Sequence, residues 1–129
     1  MAKKINLNDY LGHSMDCTCG KEHKTNLKIV DIDKDAVSRL PKHIEALGYK
    51  KPFLVADVNT WAAAGALVAE KLDVAGISYK KYIFNEKELI PDEKTLGSLM
   101  MAFSRDCDVI VAVGSGTLND LCKLSSFQL

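Results

Sequence analysis

The segment most informative about the fold is Asp108-Val-Ile-Val-Ala-Val-Gly-Ser-Gly-Thr-Leu-Asn-Asp-Leu-Cys-Lys123. Its apolar run, Val109 to Val113, does not alternate with polar residues, which is typical of a parallel strand covered on both faces. Residues 114–116 then predict a tight glycine turn, and a helix is expected to begin near Thr117. Because a helix start presents unpaired N–H groups and a positive dipole end, this junction predicts an anion site, most often for a phosphate.

Two motifs that would narrow the ligand are absent from this stretch. The dinucleotide fingerprint G-x-G-x-x-G lacks its third glycine, because Asn119 stands in that place. A P-loop is also absent, because Lys123 lies too far from the glycines and no Gly-Lys-Ser/Thr sequence occurs. Two interpretations therefore remain open, a phosphate or nucleotide site and a simple strand-to-helix turn.

Length and composition predict one ordinary globular domain. The chain has 129 residues, of which 47% are hydrophobic and 26% charged, with acidic and basic residues in equal number. The zero net charge gives no support for a nucleic-acid surface, and no apolar run is long enough to span a membrane. No signal-peptide core follows the amino terminus and the cysteines are expected to be reduced, so the predicted location is the cytoplasm.

Strands and helices are predicted to alternate along the chain. The predicted strands are Leu27–Ile32, Pro52–Asp57, Tyr79–Phe84 and Val109–Val113. The predicted helices run from Asp33 or Asp35 to Gly48, from Asn59 to Leu72, from Pro91 onward, and from Thr117 to the last residue. This alternation predicts an α/β fold, a Rossmann-like parallel sheet with helices on both faces. The sheet would end directly after its ligand loop, with an uncovered edge, so the sequence is expected to be a piece of a longer protein.

Several side chains carry more local expectations. Trp61, Leu67 and Val68 are expected to face the core from the second helix. Pro41 is expected to begin a second segment of the first helix, where its missing N–H costs little.

Asp57 lies at the carboxyl end of a predicted strand, on the edge where open α/β sheets bind ligands. Its carboxylate could accept hydrogen bonds from the ribose hydroxyls of an adenosine and would repel the extra phosphate of NADP. Lys50 and Lys51, taken as neighbours of this acid, could instead tolerate that phosphate. The alternative is that Asp57 simply caps the following helix. Because the acid precedes the glycine turn, a dinucleotide bound by both requires a variant of the usual Rossmann topology.

Cys17, Cys19 and His23 superficially resemble a metal cluster. Structural zinc sites usually have four ligands and at least two residues between paired cysteines, whereas the spacing here is Cys-x-Cys with no second pair. No metal site is therefore predicted in this chain. No serine or cysteine nucleophile arrangement can be assembled either, so no catalytic residue is assigned.

Three segments together resemble a known enzyme family: Cys-Thr-Cys-Gly-Lys-Glu-His (17–23), Leu-Val-Ala-Asp-Val-Asn-Thr-Trp (54–61) and Val-Gly-Ser-Gly-Thr-Leu-Asn-Asp-Leu-Cys-Lys (113–123). They are similar to the sn-glycerol-1-phosphate dehydrogenases, which belong with glycerol dehydrogenase, iron-dependent alcohol dehydrogenase and 3-dehydroquinate synthase. The resemblance covers essentially the whole chain, so residues 1–129 would correspond to the family's amino-terminal dinucleotide-binding domain.

The resemblance implies a site for NAD or NADP. Asp57 would contact the adenosine ribose, and Asp120 would lie towards the nicotinamide. The pyrophosphate would be wrapped, largely through backbone N–H groups, by Gly114, Ser115, Gly116, Thr117 and Leu118. The implied reaction is reversible hydride transfer between NAD(P)H and dihydroxyacetone phosphate, giving sn-glycerol 1-phosphate.

The resemblance also implies parts that this chain lacks. The family's divalent metal, zinc or nickel, polarises the substrate carbonyl and is held by one Asp and two His of a helical carboxyl-terminal domain. None of that domain is in these residues, so the chain alone is expected to bind cofactor weakly and not to catalyse. The parent enzyme is expected to be a homo-oligomer acting on a phosphorylated polyol or ketone. Alternatives left open are a glycerol dehydrogenase, a dehydroquinate synthase-like enzyme, a non-catalytic nucleotide-binding module and, more weakly, a receiver-like domain with Asp57 as phosphoacceptor.

Overall fold

The computed structural model describes residues 6–15 and 17–129. The chain forms two compact units, Met1–Ala36 and Val37–Leu129, and the predicted ligand site belongs to the second. No helix within the described residues is both long and apolar enough to cross a membrane. Residues 1–5, on which part of the signal-peptide prediction rests, lie outside the described residues.

The first unit contains short regular elements. A 3₁₀ helix spans Leu7–Tyr10, and strands β1 (Ser14–Met15) and β2 (His23–Lys24) pair in antiparallel fashion. The strand predicted at Leu27–Ile32 is wrong, because these residues form no strand and Ile32 is 80% exposed. A short apolar run becomes a strand only where a neighbouring strand supplies hydrogen bonds and another layer covers it, and no described strand pairs with this run.

The second unit alternates helices and strands, as predicted. In chain order its elements are α1 (Ala36–Ala46), β3 (Pro52–Asp57), α2 (Val58–Thr60), a π-helical turn (Trp61–Gly65), α3 (Ala66–Val74), β4 (Lys80–Phe84), α4 (Glu93–Ala102), β5 (Val109–Ala112) and α5 (Gly116–Gln128).

The three strands of this unit form one parallel sheet in the order β4-β3-β5. All six residues of the central strand β3 are buried. Alternate residues of β3 point to opposite faces, so Phe53 and Val55 pack with α4 and α5, whereas Leu54 and Ala56 pack with α1 and α3. The Rossmann-like α/β fold with helices on both faces is therefore confirmed.

Two local predictions about helices are wrong. Leu67 is 44% exposed, whereas Val68 is buried as expected, because adjacent residues of a helix point about 100° apart and the buried face of α3 runs through Val68, Ala69 and Leu72. Pro41 does not begin a new segment but lies buried inside the continuous helix α1. The helix runs through it at the loss of one backbone bond, since the proline ring has no N–H to donate.

Strand β5 is less covered than its apolar sequence predicts. All four of its residues are half-buried, because β5 is an edge strand of the described sheet. An open groove of about 970 Å³ lies beside it, and its lining includes Ile110 and Ala112 of β5 and Cys122 of α5. The expectation that the sheet has an uncovered edge next to the glycine turn is confirmed.

Candidate functional site

The carboxyl ends of β3 and β5 lie side by side in the sheet. Val55 is paired with Ala112, and the N–H of Val113 donates to the carbonyl of Val55 at 2.8 Å. The acid that ends β3 and the glycine turn that follows β5 therefore reach the same edge, although more than fifty residues separate them in the sequence. The prediction of a variant order, with the acid first, agrees with this arrangement.

The helices that leave these two strand ends go to opposite faces of the sheet. Buried residues of α3 belong to the core cluster on one face, and those of α5 belong to the cluster on the other. Such a divergence is a topological switch point, where open α/β sheets form a ligand crevice.

Asp57 is a helix cap, as the alternative interpretation proposed. It is only 8% exposed, and its Oδ1 accepts hydrogen bonds from the N–H groups of Asn59 at 2.9 Å and Thr60 at 2.8 Å. In return Thr60 Oγ1 accepts from the Asp57 N–H at 3.0 Å, which completes a capping box. Oδ2 takes no part in these bonds, so capping leaves an acceptor on the same carboxylate for a ligand hydroxyl.

Thr60 is a site residue that the sequence analysis missed. Gly114 has a φ of +148°, and a Cβ atom placed on it would lie 2.6 Å from Cγ2 of Thr60 and 2.7 Å from Cδ1 of Leu118. The capping-box spacing of Asp57 and Thr60, three residues apart, was the available signal. It predicts the cap, but it does not predict the contact with Gly114.

Gly116 differs from Gly114 because it opens onto free space. A Cβ atom on Gly116 would meet no heavy atom within 4 Å. Helix α5 begins at this glycine, one residue earlier than predicted, and Ser115 caps it by accepting from the Leu118 N–H at 3.5 Å. Among the described residues no acceptor is assigned to the N–H groups of Gly116 and Thr117, which are the donors expected at a helix start.

The remaining predicted residues continue along α5. Thr117 is half-buried and Asp120 is exposed, whereas the Leu118 side chain is fully buried in the core. Leu118 could therefore contact a ligand only through its backbone. Ligand contacts by these residues and by Asp57, Gly114, Ser115 and Gly116 stay predictions.

The prediction that Lys50 and Lys51 lie near Asp57 is wrong. Both lysines precede β3, and their backbone N–H groups donate to the carboxylate of Asp108 at 2.8 and 2.9 Å, at the amino end of the sheet. The length of β3, about 20 Å at roughly 3.3 Å per residue, separates them from Asp57. Lys51 also pairs with Asp106, and this bond raises the pKa of the lysine.

A profile of the iron-containing alcohol dehydrogenases matches residues 31–129 of this chain. The chain belongs to the iron-containing alcohol dehydrogenase family. The resemblance noted in the three sequence segments is thereby confirmed at the level of the family, whose members are oxidoreductases.

Curated relatives of this chain carry a more specific name. The glycerol-1-phosphate dehydrogenase [NAD(P)+] of Halalkalibacterium halodurans is 35% identical over 117 residues, which are 88% of this chain and 29% of that protein. The enzyme of the same name from Geobacillus stearothermophilus is 26% identical over 127 residues, covering 95% of this chain and 31% of that protein. The chain thus spans less than a third of the length of these relatives.

Solved structures of dehydrogenases share the fold. Glycerol dehydrogenase from Schizosaccharomyces pombe superposes with a TM-score of 0.63 at 22% identity, over 72% of this chain and 23% of that one. An alcohol dehydrogenase from Oenococcus oeni gives a TM-score of 0.57 at 25% identity, over 69% of this chain and 24% of that one.

Proposed function

We propose that residues 37–129 form the dinucleotide-binding part of an NAD(P)-dependent glycerol-1-phosphate dehydrogenase. The observation that carries this proposal is the contact of Gly114 with Thr60, which joins the Asp57 cap to the start of α5 at one switch point. The names of the curated relatives support the choice of enzyme.

The residues at this edge fit a dinucleotide. A pyrophosphate needs N–H donors that the protein does not use itself, and Gly116 and Thr117 supply such donors at the positive end of a helix. The free space at Gly116 allows a phosphate to approach the main chain closely. The capping bonds hold the Asp57 carboxylate before the ligand arrives, so little side-chain entropy is lost on binding.

The same geometry favours NAD over NADP. Asp57 places a negative charge where the ribose would lie, which suits a hydroxyl and opposes a phosphate. Lys50 and Lys51 do not offset this charge, because they lie at the opposite end of β3. We expect Asp120, about one turn further along α5, to face the nicotinamide side.

The bound dinucleotide would supply hydride transfer, and the chain's own residues would hold and orient it. In the whole protein the partner would be dihydroxyacetone phosphate, reduced reversibly to sn-glycerol 1-phosphate. A divalent metal, zinc or nickel, and most substrate contacts would come from residues outside this chain. We further propose that the whole protein is a cytoplasmic homo-oligomer that acts on a phosphorylated small molecule.

Calorimetric titration of NADH and NADPH into the 129-residue chain tests the cofactor site. We expect one saturable site with tighter binding of NADH, weakened at least tenfold by Asp57→Asn and by Gly116→Val. Asp92→Asn is the matched control, because Asp92 caps α4 through the N–H of Thr95 just as Asp57 caps its own helix.

Absence of saturable binding to a chain that is folded by circular dichroism would overturn the proposal. Equal binding by both site variants and the wild type would overturn it as well. Turnover of dihydroxyacetone phosphate by the 129-residue chain would contradict the expectation that catalysis needs further residues.

A further inference from the structure

The hairpin of the first unit encloses the Cys-x-Cys sequence. Strands β1 and β2 pair Met15 with His23, and Cys17 and Cys19 lie in the loop between them. Within this loop the N–H of Gly20 donates to the carbonyl of Cys17 at 3.3 Å, and Gly20 has a φ of +75°. The turn therefore folds the cysteines back towards β2, in a backbone conformation that favours glycine.

This turn brings three metal-ligating side chains together. The ligand atoms of Cys17, Cys19 and His23 all lie within 4.8 Å of one another, and Cys19 Sγ is 2.9 Å from His23 Nε2. Around a tetrahedral zinc, with bonds of about 2.3 Å to sulfur and about 2.0 Å to nitrogen, ligand atoms stand roughly 3.5–3.8 Å apart. Shifts of about 1 Å by exposed side chains would reach that geometry.

We propose that Cys17, Cys19 and His23 bind a zinc ion and leave its fourth coordination position to water. Two thiolates and one imidazole form the mixed sulfur and nitrogen set that suits zinc. The short Cys-x-Cys spacing, which argued against a metal in the sequence analysis, is compensated by a hairpin that delivers the histidine from the opposite strand.

In the described part of the first unit, burial contributes little to holding this hairpin. Within residues 6–15 and 17–35 no side chain is buried, so no apolar core is available there. Small units without a core commonly depend on a metal or a disulfide for a defined shape. A zinc ion at this site would cross-link the loop to β2 and make the hairpin's order depend on metal.

Metal titration of the reduced, metal-free chain under anaerobic conditions tests the site. We expect one equivalent of zinc to bind in competition with a chromophoric chelator, and cobalt(II) to give thiolate-to-metal charge-transfer absorption. Cys17→Ser, Cys19→Ser and His23→Asn should each weaken zinc binding by more than about 100-fold. Losing a group that only hydrogen-bonds to a metal ligand already costs roughly 10- to 100-fold in affinity, and losing the ligand itself costs more. His13→Asn is the matched control, because His13 is an exposed histidine outside the cluster.

Zinc binding that is unchanged in the three ligand variants would overturn the proposal, and so would cobalt spectra without sulfur ligation. The same holds if the reduced wild-type chain fails to compete with the chelator, or if His13→Asn weakens binding as strongly as His23→Asn. The ligands are exposed, so the variants are expected to keep the wild-type circular dichroism of the folded chain. NADH titration of the same samples reports separately on the dinucleotide site, because its proposed contacts all lie in residues 37–129.

Discussion

Gly114 lies directly against Thr60. A Cβ atom on Gly114 would stand 2.6 Å from Cγ2 and 3.0 Å from Cβ of that threonine. Thr60 is at the same time the partner of Asp57 in the capping box. One threonine therefore couples the acid at the end of β3 to the turn after β5.

Gly114→Ala should destabilise the second unit by at least ~2 kcal/mol, from a strained backbone and an overpacked contact. The φ of +148° disfavours alanine, and the new methyl group would clash with Thr60 and Leu118. Urea unfolding followed by circular dichroism measures the loss. Gly97→Ala is the control, since a Cβ atom on Gly97 meets nothing within 4 Å and the variant should be neutral or more stable.

Thr60→Ser should rescue part of that loss. Serine keeps the hydroxyl that accepts from the Asp57 N–H and removes the methyl group that meets Gly114. The double variant Gly114→Ala/Thr60→Ser is expected to be about 1 kcal/mol more stable than the sum of the two single changes predicts. If the two changes in the free energy of unfolding simply add, the methyl group of Thr60 does not limit the space at Gly114.

Gly116→Ala should separate folding from binding. Its Cβ atom has free space, so the free energy of unfolding should stay the same or rise by up to ~1 kcal/mol. The methyl group would occupy the approach to the first N–H groups of α5, so NADH affinity should fall. Unfolding and calorimetry on the same sample check both parts, and an unchanged affinity would mean that no ligand comes close to this backbone.

Substitutions of Asp57 should distinguish its charge from its capping role. Asparagine caps a helix about as well as aspartate, so Asp57→Asn should change the free energy of unfolding by only a few tenths of a kcal/mol. Asp57→Ala removes the cap and should lower the free energy of unfolding by about 1 kcal/mol. Both should weaken NADH binding. Asp92→Ala removes the equivalent cap of α4 and should leave NADH affinity unchanged. If only Asp57→Ala weakens NADH binding, the affinity depends on the helix cap and not on the negative charge of Asp57.

Asp108 should make stability depend on pH below about 4. Hydrogen bonds from the backbone N–H groups of Lys51 and Lys50 hold the pKa of Asp108 below its ordinary value. A lowered folded-state pKa contributes stability above the unfolded pKa of about 3.9, and this contribution is lost as the pH falls through the folded value. Asp108→Asn should therefore lower the urea midpoint at pH 7, and the gap to wild type should narrow at pH 3.

An exposed carboxylate provides the comparison for that experiment. Glu86→Gln removes one charge from an exposed loop position and should leave the urea midpoint at pH 7 unchanged. A gap between Asp108→Asn and wild type that stays constant down to pH 2 would show that the carboxylate charge is not responsible.

The thiols should react with iodoacetamide in a fixed order. Burial raises the pKa of Cys122 to about 11, whereas the backbone of Cys19 lowers the pKa of the exposed Cys17. In the metal-free chain at pH 7.5, Cys17 should be alkylated well before Cys122, and denaturant should abolish the difference. Mass spectrometry of peptides follows each site over time, and early modification of Cys122 in the folded chain would contradict its burial.

Much of the candidate site could be predicted from local sequence. The glycine turn after an apolar strand is a local pattern, and it is found at Gly114 with the helix start beside it. The placement of Asp57 at a strand end is equally local. Thr60 escaped prediction as a site residue, because its contact with Gly114 depends on β3 and β5 being neighbours, and no local pattern specifies neighbours.

The same distinction explains the errors. The apolar run Leu27–Ile32 has strand composition but lacks a partner, and Lys50 and Lys51 are close to Asp57 in sequence yet separated from it by the length of a strand. The proximity of His23 to the cysteines likewise follows from hairpin pairing, which the Cys-x-Cys spacing does not reveal.

Local sequence was sufficient to predict the α/β class, the alternation of its elements and the glycine turn, because hydrophobic periodicity, caps and glycine conformations act over a few residues. The folded structure was needed to place Thr60 against Gly114 and to bring three metal-ligating side chains together in the hairpin. The first contact depends on strand order, which is set by the packing of side chains distant in sequence, and the second depends on the pairing register of a short hairpin.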